Sequence, residues 1–179
     1  NNFSVTPLSD IYYPVALAEK LTGREMNPGN FDIVCSFNSK YRWYKGTDGK
    51  TPDTDYDLVS SVLHELGHGL GFSGFIGNKN NEGYFNNLNN LPSIYDYYIF
   101  NFKNQQLANK ELFQSPSKEL YSQITSQELK FYSPEDVRNY SSVDKIYAPP
   151  VWNEGTSIYH LDGYSYGAEN SLMSPFGYK

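Results

Sequence analysis

The stretch Asp57–Phe72 reads DLVSSVLHELGHGLGF, and it decides how the rest of the chain is interpreted. Leucine and valine recur in it at intervals of three and four residues, which places apolar side chains on one face of an α-helix. Asp57 stands directly before this run, where its side chain can accept hydrogen bonds from the unpaired backbone N–H groups of a first helical turn. The pattern predicts a helix from Leu58 to about Gly69.

Within this helix the residues from His64 to His68 match the pattern H-E-x-x-H. Residues four apart lie one above the other on a helix, so the two imidazoles can reach the same tetrahedral Zn²⁺ at about 2.0–2.1 Å. Glu65 lies one step round the helix, where its carboxylate can act as a general base on a zinc-bound water without binding the metal. The alternative is a pair of surface histidines beside a solvated glutamate.

A zinc held by two histidines needs a third protein ligand, and the chain has 3 histidines in all. The remaining one is His160, which we therefore expect to complete the site. Glu154, Asp162 and Glu169 are the alternatives. A glutamate ligand would make the site thermolysin-like, but such a ligand normally lies on a second helix. The glycine-rich surroundings of Glu154 and Glu169 do not favour a helix.

A short segment around Met173 follows, with the sequence SLMSP at residues 171–175. One interpretation is an ordinary core methionine, because this side chain fills irregular gaps readily. The other is a methionine in a tight turn beneath a metal site, and the order of a histidine followed by a methionine favours it.

Together these residues resemble a family of bacterial secreted zinc metallopeptidases, metzincin-like, with an H-E-[IL]-G-H-G-L-G-F active-site helix. In that family a serine-rich turn, a histidine, an acidic residue and a Leu-Met turn follow downstream, which supports His160 and Met173. The strict metzincin pattern has its third histidine at position 74, which is Gly74 here, so the third ligand must lie elsewhere. Further matching segments are Phe37–Ser39, Trp43–Gly46, Ile94–Asp96, Gly155–His160 and Ser171–Pro175.

The resemblance implies an α+β, zincin-like fold. In such a fold a small twisted mixed sheet packs on the active-site helix, and a loop-rich C-terminal part carries the Met-turn. No linker or repeat divides the sequence, so we expect a single catalytic domain over residues 1–179. Its N-terminal part, about residues 1–74, would contain the active-site helix, and its C-terminal part, about residues 75–179, would contain the third ligand.

Local patterns predict several further elements. The alternating run Phe31–Phe37 reads as a strand, and Phe31–Asn38 is our candidate for the sheet edge that aligns an extended peptide. Cys35 in this run is expected to be a small buried residue rather than a nucleophile. The other predictions are a helix over residues 14–22, a strand over 41–44, a loop over 71–90, a helix or strand over 94–102, and helix starts at 125–128 and 133–136.

Composition limits the partners of the chain. The net charge is −6 and basic residues are scattered, whereas nucleic-acid binding needs a basic surface. No apolar run is long enough for a transmembrane helix. The sequence does not begin with a signal-peptide pattern, and its first residues, Asn1–Ser4, contain no methionine, so we expect a fragment or a mature form trimmed from a longer precursor. With the family resemblance, these features predict a secreted or cell-surface bacterial protein that is a monomer and acts on a protein or peptide.

Calcium is a further candidate ligand. Asp53, Asp55 and Asp57 alternate ahead of the helix, and the segment from Asn78 to Asn90 is rich in asparagine. Such oxygen-bearing side chains can bind Ca²⁺, although alternating acidic residues before a helix are more often caps and turns.

The sequence therefore predicts a zinc-dependent endopeptidase with His64, His68 and His160 as ligands and Glu65 as the base. Two alternatives remain, a non-catalytic extracellular binding module on a zincin fold and a zinc amidohydrolase acting on a non-peptide substrate. In some metzincins a tyrosine two residues after the methionine stabilises the oxyanion, but that position is Pro175 here, so the resemblance leaves the choice of tyrosine open. The candidates are Tyr159, Tyr164, Tyr166 and Tyr178.

Overall fold

The computed structural model describes residues 8–132, 144–163 and 171–175. Within these ranges the protein is a mixed α+β structure of four helices and three small sheets, which confirms the α+β class. The elements in chain order are α1 (Val15–Thr22), β1 (Trp43–Tyr44), β2 (Tyr56–Asp57), α2 (Leu58–Gly69), β3 (Ile76–Lys79), β4 (Glu82–Phe85), α3 (Ile94–Tyr97), β5 (Ile99–Phe100), α4 (Lys118–Ile124), β6 (Lys130–Phe131) and β7 (Asp144–Lys145).

The sheets are separate and short. Strands β1 and β2 pair in parallel, β3 and β4 form an antiparallel hairpin, and β6 lies between β5 and β7 in an antiparallel sheet. The sequence predicted one mixed sheet packed on the active-site helix, and the described strands do not form one. Each has only two to four residues, too few to build a continuous ladder across the long loops between them.

Helix α2 has the bounds that the sequence predicts. The Asp57 carboxylate accepts a hydrogen bond from the backbone N–H of Ser60 at 2.6 Å, and this bond is the main reason that the pKa of Asp57 is lowered. Because Asp57 also ends β2, the helix starts directly from the β1–β2 pair. None of its residues is buried, and its exposed apolar side chains are Val59, Leu63 and Leu66.

Helix α1 also matches its prediction. It starts after Pro14 and ends at Gly23, whose φ of 64° lies in the left-handed region. A glycine adopts this conformation without the steric cost that a Cβ brings.

The predicted strand over residues 31–37 is wrong, because this segment, all of which the structure describes, pairs with no other strand. Phe31 and Val34 are 85% and 75% exposed, and Cys35 is half-buried. An alternating sequence forms a strand only when a partner backbone takes up its N–H and C=O groups. The proposal of a peptide-aligning edge at Phe31–Asn38 therefore has no strand to support it.

The predicted loop over residues 71–90 is also wrong, since it contains the β3–β4 hairpin. Asn80 and Asn81 form its turn with φ angles of 55° and 62°. Two successive positive φ angles are typical of the tight turns that match strand twist, and asparagine tolerates them better than most residues.

The ambiguous segment over residues 94–102 contains both α3 and β5. The predicted helix start at 125–128 is wrong, because α4 has Ser117 as its cap and ends at Ile124, with Thr125 as its C-terminal cap. The predicted start at 133–136 lies outside the described residues.

The main hydrophobic core brings the hairpin, α3 and α4 together with the segment that precedes His160. Its fully buried members include Ile99, Leu120, Ile146 and Ile158, each 0% exposed. None of the described helices is long and apolar enough to cross a membrane.

Candidate metal centre

His64 and His68 stand on adjacent turns of α2, as their spacing predicts. Their ring centroids are 4.6 Å apart, and the two Nε2 atoms are separated by 3.0 Å. Both side chains therefore point to the same position beside the helix.

His160 joins this pair from a segment 96 residues further along the chain. Its Nε2 lies 3.3 Å from the Nε2 of His64, and its ring is 5.0 Å from that of His68 between centroids. The residue is 5% exposed. The three histidines thus form one cluster, in which each offers a ring nitrogen within 4.8 Å of the others.

The other nitrogen of each ring contacts a main-chain carbonyl. The Nδ1 atoms of His64, His68 and His160 lie 2.7, 2.8 and 2.8 Å from the carbonyl oxygens of Leu172, Phe72 and Thr156. A carbonyl oxygen can only accept a hydrogen bond, so each Nδ1 carries the proton in the neutral ring. Each Nε2 then presents a lone pair to the centre of the cluster.

The three converging Nε2 lone pairs are compatible with a set of metal ligands. They are not compatible with hydrogen bonds between the histidine rings. Two acceptors cannot hydrogen-bond each other, so the short Nε2 separations have no donor to explain them. Nitrogens at the corners of a tetrahedron around Zn²⁺ would be about 3.3–3.4 Å apart, given bonds of about 2.0–2.1 Å. The 3.3 Å distance between His160 and His64 agrees with this value, and the 3.0 Å distance between His68 and His64 is slightly shorter.

Burial keeps two of the rings neutral. The pKa of His160 is lowered to about 4, mainly by burial, with smaller contributions from the neighbouring His68 and His64. Burial is also the main cause of the lowered pKa of His68. Metals bind the neutral imidazole, so these shifts reduce competition from protons near neutral pH.

Met173 is 8% exposed and packs against α2 at Gly67, between the two helical histidines. Its main-chain neighbours connect both parts of the cluster. The carbonyl of Leu172 accepts from His64, and the carbonyl of Met173 accepts from the backbone N–H of Leu161 at 2.8 Å. This turn therefore holds α2 and the His160 segment together.

Glu65 is exposed on α2, beside the cluster. Its charge contributes to the pKa of His68 by favouring the protonated ring, which shows that the carboxylate lies near the histidines.

The alternative ligands lie elsewhere or are otherwise bound. Glu154 accepts a hydrogen bond from the Trp152 indole at 2.8 Å, and Asp162 forms an ion pair with Lys145 at 2.9 Å. Neither carboxylate belongs to the histidine cluster. Glu169 lies outside the described residues.

Tyr159 is the one candidate oxyanion tyrosine within the described part of the chain. Its hydroxyl donates to the Ile76 carbonyl at 2.6 Å, and burial raises its pKa well above 10. This hydroxyl is committed to the core, so we do not retain it as an oxyanion donor. Tyr164, Tyr166 and Tyr178 lie outside the described residues.

Two of the calcium candidates, Asp55 and Asp57, have other partners in the structure. Asp55 pairs with Arg42 at 3.1 Å, and Asp57 caps α2. The only other described group with metal-ligand spacing is a half-exposed to exposed acidic cluster of Glu19, Glu25 and Asp32, which the sequence did not indicate because its members are scattered.

Comparison with known proteins places the chain in a family. Residues 8–119 match the model of the SPBPB7E8-like family, and the chain belongs to this family. The match includes His64, Glu65 and His68 and ends before His160. No curated protein and no solved structure matches the chain.

Proposed function

We propose that the protein is a zinc-dependent endopeptidase. The observation that carries this proposal is the convergence of the Nε2 atoms of His64, His68 and His160, with every Nδ1 held by a main-chain carbonyl. Such carbonyl contacts fix the tautomer and orientation of histidine ligands in metal proteins. The helical pattern H-E-x-x-H adds a carboxylate beside the ligands, which a purely structural zinc site does not need.

The proposed site is of the catalytic type, because it has three protein ligands and so leaves a coordination position open. A zinc ion held there would lower the pKa of a bound water and polarise the scissile carbonyl. His64, His68 and His160 would hold the ion through neutral imidazole rings. Burial favours this neutral form for His68 and His160.

Glu65 would perform the proton transfers. Its exposed carboxylate can accept a proton from the attacking water and pass it to the leaving amine, the role of a general base followed by a general acid.

The finer fold assignment is part of the same proposal. The capped helix α2, the turn with Met173 beneath Gly67 and the downstream His160 support a zincin-like, metzincin-like arrangement. A secreted or cell-surface bacterial location and action as a monomer on protein or peptide substrates go with that assignment.

The decisive experiment measures zinc and activity in the same preparation. We expect about one zinc per chain by mass spectrometry of the purified protein, and cleavage of casein or of a quenched peptide library that stops with a chelator and returns with zinc. Zinc without peptide cleavage, but with hydrolysis of small amides, would support the amidohydrolase alternative. Zinc with neither activity would support the binding module, and absence of zinc binding would refute the proposal.

A further inference from the structure

Helix α3 forms hydrogen bonds with two segments that adjoin the histidine cluster, the one that follows α2 and the one that carries His160. It is a single turn that starts at a capping box, in which the Ser93 hydroxyl accepts from the Asp96 backbone N–H and the Asp96 carboxylate accepts from the Ser93 backbone N–H. Its adjacent residues Tyr95 and Asp96 are 2% and 0% exposed. Their side chains bond to two different segments, one that follows His68 and one that carries His160.

Asp96 bonds to the segment that follows α2. Its carboxylate accepts from the backbone N–H of Phe75 at 2.9 Å, and Ser93 donates its hydroxyl to the Ser73 carbonyl at 3.3 Å. This segment begins at Phe72, whose carbonyl orients the ring of His68. Gly74 completes the contact, since a Cβ at that position would collide with the Asp96 carboxylate.

Tyr95 bonds to the segment that carries His160. Its hydroxyl donates to the carbonyl of Ile158 at 2.8 Å in the buried core. Ile158 has a φ of 76°, which is a strained conformation for a β-branched residue. It lies between Thr156, whose carbonyl orients the ring of His160, and His160 itself.

The strain at Ile158 has a geometric consequence. A left-handed residue turns the chain sharply, and here the turn brings the Thr156 carbonyl back onto the Nδ1 of His160 at 2.8 Å. Such a conformation persists only where its surroundings hold it. The described hydrogen bonds that hold Ile158 are the one from Tyr95 to its carbonyl and the one from its own N–H to the Tyr147 carbonyl, also at 2.8 Å.

We propose that Tyr95 is a positioning residue for the metal centre: its hydroxyl holds Ile158 in the left-handed conformation that aims His160 at His64. Asp96 has the same role for His68, acting through the segment from Phe72 to Phe75. The pair thereby sets the distance between α2 and the His160 segment. The zinc-affinity test of this inference rests on the proposed function. The orientation of the histidine rings can also be tested in the metal-free protein.

The test uses Tyr95→Phe, which removes the hydroxyl and keeps the ring in the core. The matched control is Tyr132→Phe, because Tyr132 is 1% exposed, donates its hydroxyl to Asn104 at 2.8 Å and packs its ring against Phe100. Zinc affinity is measured by competition with a chromophoric chelator, and ligand geometry by the visible absorption of the Co²⁺-substituted protein. Loss of an outer contact to a ligand typically weakens metal binding about 10- to 100-fold.

We expect Tyr95→Phe to weaken zinc binding by about 10-fold or more and to change the Co²⁺ spectrum, with Tyr132→Phe unchanged in both. Equal zinc affinity and an unchanged spectrum in Tyr95→Phe would overturn the inference. Equal losses in both variants would also overturn it, since the effect would then be general destabilisation.

Histidine ¹⁵N NMR of the metal-free protein separates this inference from the proposed function. In the parent, the Nδ1 atom of each of the three rings should carry a proton that is hydrogen-bonded to its carbonyl partner. Tyr95→Phe should disturb the signals of His160, whereas Asp96→Asn should disturb those of His68. If the parent binds no zinc, the function proposal fails while this pattern still tests the positioning role. If neither substitution disturbs its own histidine, the positioning role is refuted whatever the zinc result.

Discussion

The Sδ atom of Met173 lies 2.7 Å from the position that a Cβ on residue 67 would occupy, so Gly67 and Met173 fit together only because residue 67 has no side chain. Glycine within a helix normally costs about 1 kcal/mol relative to alanine. Gly67 therefore lowers the helix propensity of α2 at this point but allows close packing against the turn that contains Met173.

Gly67→Ala should consequently weaken zinc binding, in spite of its gain in helix propensity. The new methyl group must displace the Met173 side chain, which belongs to the turn whose Leu172 carbonyl orients His64. We expect a loss of about 10-fold or more in zinc affinity and no gain in stability. The double variant Gly67→Ala/Met173→Ala relieves the collision and should recover part of the affinity. A single variant that is stabilised by about 1 kcal/mol with full zinc affinity would contradict this account.

His160→Ala tests the ligand that is most distant in sequence. Removal of one of the three proposed ligands should reduce zinc affinity by about 100-fold or more and abolish turnover. Glu154→Gln and Asp162→Asn are the controls, because both carboxylates were alternatives and neither lies in the cluster. Both controls should keep zinc. A large loss of zinc in either control, with His160→Ala unaffected, would replace the proposed ligand set.

Glu65→Gln should keep zinc and fold but lose at least about 100-fold in turnover, because an amide cannot accept the proton from water. Glu111→Gln provides a matched control at another exposed glutamate. The measurement is cleavage of a quenched peptide at saturating zinc. Retention of more than about a hundredth of the parent activity would exclude Glu65 as the base.

Gly74→Ala should be destabilising, since its methyl group collides with the buried carboxylate of Asp96. Overpacking of this kind costs about 1–3 kcal/mol. Gly77→Ala is the control, because a Cβ there meets the Tyr84 ring at 3.3 Å, a contact that a small shift of the ring relieves. Urea unfolding should therefore separate the two variants, and equal stabilities would show that the Asp96 site has room to adjust.

The collision between a Cβ at position 74 and the Asp96 carboxylate also bears on the position at which the strict metzincin pattern has its third histidine. Gly74→His should not restore zinc binding to His160→Ala, because the carboxylate of Asp96 blocks the start of the new side chain. Restored binding would show that position 74 can still serve as a ligand.

Acid should destabilise the metal-free protein through His160. The unfolded chain protonates this ring near pH 6.5, whereas burial holds the pKa of the folded ring at about 4. The stability that His160 contributes is thus complete above pH 6.5 and is lost as the pH falls towards 4, by at most about 2 kcal/mol between pH 7 and pH 5.

Asp96 works in the opposite direction, because burial raises its pKa to about 6 and protonation then stabilises the folded state as the pH falls below that value. Comparison of the parent with His160→Ala cancels the Asp96 contribution. Urea unfolding of both metal-free proteins at pH 7 and pH 5 should show a larger loss in the parent. Identical pH dependence would mean that His160 is not held neutral by its surroundings.

The elements predicted correctly are those whose causes are local. Helix α2 follows from the Asp57 cap and from apolar residues at helical spacing, all within a few residues of one another. The segment over residues 31–37 has an equally regular pattern, but a strand depends on a distant partner that the pattern does not contain. The β3–β4 hairpin was missed because its strands include glycine and asparagine, and its turn signal, Asn80-Asn81, is weaker than an Asn-Gly pair.

In the candidate site too, the features that depend on local sequence were predictable and those that depend on tertiary packing were not. The spacing of His64 and His68 follows from helix geometry, and His160 could be selected because the chain has no other histidine to offer. The contact between Gly67 and Met173, the left-handed Ile158 and the role of Tyr95 arise from tertiary packing between segments far apart in the chain. The segments Ile94–Asp96, Gly155–His160 and Ser171–Pro175 match the family pattern, but their sequences do not indicate these contacts.

The carbonyl partners of the three histidines have a consequence for how this site can diverge among related sequences. Phe72, Thr156 and Leu172 hold the rings through main-chain atoms that every amino acid possesses. The identities of these residues can therefore drift without loss of ring orientation, provided that the backbone path is kept. Relatives with the same centre are then to be recognised by the histidines and by the small residues that permit the path, and divergence at the orienting positions is no argument against a shared function.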